Sequence, residues 1–146
     1  MGEHIKTLHS YWAYFVLAIL LVAIVNAIIG LTAKKNYLAK DFRIALFTLI
    51  VSHLQLLIGL VLYFVSDRFA LWSELGGGVM KNSLARLYLV EHPLVNILAI
   101  VCITIGFSKH KNKVEPGAKF KTIFIWYLIG LILLLSRIPY DVWPNW

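Results

Sequence analysis

Charge is what this chain has least of. Only 14% of its residues are Asp, Glu, Lys or Arg, where a soluble domain carries about a quarter. Hydrophobic residues make up 60%, and the mean hydropathy is +0.79. Such a balance excludes an ordinary water-facing surface. Cysteine is scarcer still. Cys102 stands alone in an apolar run, so no intrachain disulfide forms and no cysteine cluster holds a metal. It reads as a small core residue. Internal repeats, low-complexity segments and phosphate-binding loops are absent. So is any nucleophile–base arrangement of a stand-alone enzyme. The length, 146 residues, suits one compact unit.

Long apolar runs are what the chain has instead. Four are present: Tyr11–Leu31, Ile44–Val65, Leu84–Phe107 and Phe120–Ile138. Each holds about the 20 residues that cross roughly 30 Å of hydrocarbon. Inside lipid the backbone must satisfy its own polar groups, so each run is expected to be helical. The segment before the first run has one lysine and no small-residue cleavage site. It therefore lacks the marks of a cleaved leader, and the first helix is expected to remain.

The net charge of +7 does not point to nucleic acid, because of where it sits. The loop Ala33–Arg43 holds Lys34, Lys35, Lys40 and Arg43 against Asp41 alone, and Ser108–Lys121 holds Lys109, Lys111, Lys113, Lys119 and Lys121 against Glu115 alone. Glu3, Asp67, Glu74, Glu91 and Asp141 lie on the other side, or in spans that begin there. The positive-inside rule then puts both basic loops in the cytoplasm and both termini outside. The expected fold is all-α: a four-helix transmembrane bundle, up-down-up-down, with both termini on the outer side.

The external connection Ser66–Ser83 carries Phe69, Leu71, Trp72 and Leu75 at the spacing of a short surface helix. Gly76-Gly77-Gly78 should break it and leave a flexible joint. Trp12, Trp72, Trp126, Trp143 and Trp146, with several tyrosines, sit near expected interfaces and read as an aromatic belt. Pro139 and Pro144 end the last helix. Asn26 and Gly30, one turn apart, mark helix packing.

Two histidines fall inside spans, where an ionisable side chain is costly and usually has a partner or a task. His53 lies about 13 Å above the inner end of its span, so roughly 16 Å below the outer surface. His92 lies about 12 Å below that surface. Two imidazoles at one depth on neighbouring helices suit a flat cofactor between them, as helix bundles commonly arrange. Protohaem fits, since neutral imidazole is a good iron ligand. Arg68, Arg86 and Arg137 fall at outer helix ends, where guanidinium groups pair with carboxylates such as propionates. Ser52, Gly59 and Ala99 are small enough to admit a macrocycle, and Asn96 shares a face with His92. Other readings stay open: structural contacts to carbonyls or hydroxyls, a proton relay, or another metal. Glu91 is an ion-pair partner for Arg86 or Arg137, or part of a quinone or proton path. His9, placed just outside the first span, is a secondary candidate ligand. His4 and His110 are given no role.

The segments His9-Ser10-Tyr11-Trp12, Ser52-His53-Leu54-Gln55-Leu56-Leu57-Ile58-Gly59-Leu60, Arg86-Leu87-Tyr88 with Glu91-His92-Pro93, and Ser136-Arg137-Ile138-Pro139 resemble a family of small bacterial four-helix membrane proteins labelled cytochrome-b-like. The resemblance runs over nearly the whole chain. It implies haem b held by His53 and His92 and a place near the respiratory chain. Haem A synthase halves are similar in plan, but their acid stands three residues before a histidine, whereas Glu91 directly precedes His92. The expected function is electron transfer, with quinol or as a haem-carrying subunit of a respiratory complex. The alternative is a haem-free accessory subunit that acts by packing against partners.

Overall fold

The computed structural model describes residues 2–140. Asp141, Trp143, Pro144 and Trp146 lie outside the described residues. All regular structure among these residues is helical. Four long helices carry it: α1 Gly2–Thr32, α2 Ala39–Val65, α3 Ser83–Lys111 and α4 Pro116–Ser136. Each is long and apolar enough to cross a membrane. This is a multi-pass membrane protein.

The helices run beyond the apolar stretches read from sequence, mostly at their N-termini. α1 begins at Gly2, nine residues before Tyr11. A helix keeps its hydrogen bonds as it leaves hydrocarbon, so hydropathy marks only its middle. α2 starts where the Asp41 carboxylate turns back to accept the Leu38 amide at 2.7 Å, an N-terminal cap. α3 starts where Asn82 Oδ1 accepts from Leu84 and Ala85 at 3.1 and 3.0 Å. α4 opens with Pro116 at its first turn, where a missing amide costs nothing. It stops at Ser136, two residues short of expectation. Pro139 forces Ile138 out of helical geometry.

α1 packs on α2, α2 on α3, α3 on α4, and α4 back on α1. Their shared core includes Leu20, Ala27, Val51, Ile103, Phe107 and Tyr127. Between lipid-solvated helices, close packing and polar bonds hold the bundle together, because lipid tails are as apolar as leucine. Both devices are present. A Cβ on Gly130 would meet Ile103 at 2.8 Å, so glycine sets the α3–α4 approach. Tyr127, fully buried, donates its hydroxyl to the Ala45 carbonyl at 2.8 Å. Trp12 donates to the Val51 carbonyl at 2.9 Å, so it ties α1 to α2 as well as sitting near an interface. Each such bond is worth roughly 0.6 kcal/mol in a membrane bundle. Gly30 lies against the Phe120 ring, and Asn26 donates to Asp41 Oδ1 at 2.9 Å. Both serve packing.

The connection between α2 and α3 is ordered along its length. A 3₁₀ turn at Asp67–Ala70 leads into a short helix, Leu71–Leu75, and a second 3₁₀ turn at Gly76–Lys81. Only Gly76 uses glycine's freedom, at φ +52°. The expected flexible joint is instead a folded turn. Val79, fully buried, pins it against Ala85, Leu89, Tyr63 and Leu71.

Candidate functional site

Early in α3 the helix widens into a π turn at Leu87–Glu91, where the His92 amide bonds back to Leu87. The cause is Pro93. It has no amide to give to Leu89 and its ring crowds the preceding turn. The freed Leu89 carbonyl accepts from the Tyr63 hydroxyl at 2.9 Å. Tyr63 in turn accepts from Trp72 Nε1 at 2.8 Å. π turns of this kind recur at functional sites. This one delivers His92 to a cavity.

The cavity has a volume of about 220 Å³, many times the roughly 10–15 Å³ that admits one water. All four long helices and the α2–α3 connection line it. α1 contributes Lys6, His9 and Ala13; α2 contributes Gln55, Gly59 and Tyr63; α3 contributes Tyr88, His92 and Asn96; Leu134 comes from α4.

His9 and His92 meet here in a T-shaped arrangement, with ring centres 6.3 Å apart and planes at 89°. The His92 Nδ1–H donates to the Arg137 carbonyl at 2.9 Å, so the lone pair is left on Nε2. Asn96 Nδ2 sits 3.0 Å from that Nδ1 and donates to the His92 carbonyl. Across the cavity, His9 Nδ1 is buried and has no hydrogen-bond partner, and neither does Gln55 Oε1. Buried polar atoms are nearly always satisfied; Ser52 Oγ, fully buried away from the cavity, lacks a partner as well. Gln55 Nε2 is engaged, donating to the His9 carbonyl at 3.0 Å. Gly59 gives the His9 ring its room: a Cβ there would stand 3.1 Å from His9 Cε1.

The cations divide into two groups. Arg68 lines the cavity and lies over the Tyr88 ring, its Cζ 3.9 Å from the ring centre. Among the described residues no carboxylate pairs with it. Lys6 lines the same cavity. Arg86 and Arg137 do not line it. Both are held by Glu91, through contacts of 2.6 Å to Arg86 Nε and 3.5 Å to Arg137 Nε.

His53 lies elsewhere. It is exposed on the bundle's outer face, its Nδ1 at 2.8 Å from the Leu49 carbonyl and its Nε2 at 3.4 Å from Thr104 Oγ1. The structure does not bring it to His92. Ser52 and Ala99 are fully buried in the core and do not line the cavity either. Sequence reasoning gave Lys6 and Gln55 no part. Their signal was the period itself: Lys6, His9 and Ala13 stand three to four residues apart, on one helical face.

His110 was also passed over. It is fully buried at the other end of the bundle. Its Nε2 accepts from the Tyr37 hydroxyl at 2.6 Å and its Nδ1 donates to the Phe107 carbonyl at 2.5 Å. Burial raises the Tyr37 hydroxyl above its ordinary range, and the nearby Asp41 charge adds to this. This cluster has no free nitrogen to offer a ligand.

No protein family, curated protein or solved structure matches the chain.

Proposed function

We propose that the protein is a b-type haem carrier, and that His9 and His92 would hold the group. Two imidazoles lining one mainly apolar cavity, with ring centres 6.3 Å apart, carry the reading. The donor chemistry suits the group. His92 has its second nitrogen fixed by a carbonyl, the usual support of a metal-bound imidazole. His9 has a buried nitrogen without a partner. The walls are otherwise mainly apolar, and Lys6 and Arg68 stand ready for two propionates.

When bound, haem supplies one-electron redox chemistry. The chain's own part is to hold, orient and shield. Gly59 and Ala13 keep the walls thin, Asn96 steadies the His92 turn, and the apolar lining excludes water. In this reading the bundle runs up-down-up-down through a bacterial inner membrane, with the basic loops in the cytoplasm and the cavity in the outer half. With haem bound, the protein would exchange electrons with quinol or within a respiratory complex. The short connections and the charge placement support that orientation.

The test is a dithionite-reduced minus oxidised visible spectrum of the detergent-purified full chain, with haem supplied during expression. We expect a sharp α-band of bis-histidine haem b. It should vanish in His9→Ala and His92→Ala and persist in His53→Ala. Full retention in both of the first two sinks the assignment. A flat spectrum from folded wild-type protein moves the reading to a haem-free accessory subunit.

A further inference from the structure

Glu91 and His92 are consecutive, and both act on Arg137, the residue that follows α4. Glu91 takes the Arg137 side chain, at 3.5 Å from Nε. His92 takes the Arg137 carbonyl, at 2.9 Å from Nδ1. That carbonyl stands just past the end of α4, among the groups a helix cannot satisfy for itself. The π turn ends at these two residues, and of the two only His92 lines the cavity. Arg86 holds the carboxylate from behind at 2.6 Å, while its Nη1 donates to the Met80 carbonyl at 2.9 Å.

We infer that Glu91 is a positioning residue. By fixing Arg137 it holds the carbonyl that keeps the proton on His92 Nδ1 and leaves Nε2 unprotonated toward the cavity. The step from tautomer to ligand rests on the haem reading above; the tautomer itself does not. A metal-bound histidine depends on such a partner, whose loss typically costs 10- to 100-fold in affinity. Glu91 touches neither cavity nor ligand, so it acts only through Arg137 and His92.

The experiment has two readouts on the full-length protein in detergent. The first needs no haem: ¹⁵N NMR of the histidine side chains in cofactor-free protein. Wild type should show His92 with its proton on Nδ1. Glu91→Gln should show a mixture of the two neutral tautomers. Arg86→Gln should leave His92 as in wild type, because it loosens the turn without releasing Arg137. The second readout is haem titration, where Glu91→Gln should bind roughly 10-fold or more weakly and Arg86→Gln within about twofold of wild type. If Glu91→Gln does not fold, Arg137→Gln tests the same link with the same expected tautomer change. An unchanged His92 tautomer in the variant that folds overturns the inference. Equal shifts in Glu91→Gln and Arg86→Gln also overturn it, since that would reflect general loosening of the turn. If wild type takes up no haem but the tautomer pattern holds, the haem reading fails and the positioning role stands.

Discussion

The two ends of this bundle put polar groups among apolar helices in opposite ways. At the end with the short basic loops, His110, Tyr37, Asn26, Asp41 and Tyr127 each have a partner, and a gap of only about 10 Å³ lies beside Asn26, Tyr37 and Asp41. At the open end, His9 Nδ1 and Gln55 Oε1 have none, and a cavity of about 220 Å³ lies beside them. A closed polar network fixes one packing of the helices. An unfinished one marks a place where something else completes it. The same residue type, histidine, does both jobs here, and only its surroundings tell them apart.

The sharpest way to break the comparison is to replace His110 and His9 by leucine in turn. His110→Leu strands the Tyr37 hydroxyl and the Phe107 carbonyl among Phe42, Phe107 and Phe120. Losing both bonds, with imperfect refilling, should cost about 2–4 kcal/mol. Unfolding in mixed micelles measures this, and the haem spectrum should survive. His9→Leu should do the reverse. It removes an unsatisfied nitrogen, so the cofactor-free protein should be unchanged or up to about 1 kcal/mol more stable, with the haem band gone. If His9→Leu destabilises as much as His110→Leu, the two ends do not differ in kind.

Next in size is Asp41→Ala. Its carboxylate both caps α2 and accepts from Asn26. Loss of the cap alone is worth about 1 kcal/mol, and the stranded Asn26 amide adds about as much. Mixed-micelle unfolding should show roughly 2 kcal/mol lost, again with the spectrum intact.

Much of the fold was legible because hydropathy reports helix middles directly. Four long apolar helices and the packing roles of Asn26 and Gly30 all follow from composition and period. What was not legible was rotation about the helix axes. α2 is apolar nearly all round, so no stripe marks its core face. His53 and His92 were placed at similar depth, yet the structure turns His53 outward and His9 inward. His9 was read as lying before the first helix's apolar run, and the structure continues α1 through it to Gly2, because polar first turns look like a tail when their inner face is unknown. His110 sits among lysines in sequence and is buried by Tyr37, 73 residues away. No local pattern carries that. Glu91 was read as an ion-pair partner for either arginine, and the structure pairs it with both.

The smallest expected effect is also the most specific to the open end. Gly59→Ala adds one methyl group to α2, 3.1 Å from His9 Cε1. Alanine is about 1 kcal/mol better than glycine in a helix interior, so the bundle itself should lose nothing and gain up to that amount. The His9 ring, however, must give by a few tenths of an ångström. In a site whose ligands need roughly half-ångström placement, that should tilt the imidazole and change the low-temperature EPR g-values of oxidised haem while leaving the visible band in place. Gly130→Ala makes the same chemical change beside Ile103, away from the cavity. There the crowded core should lose stability and the EPR signal should not move. If the two variants exchange these outcomes, Gly59 is a packing glycine like Gly130, and the His9 ring is not where the cofactor is held.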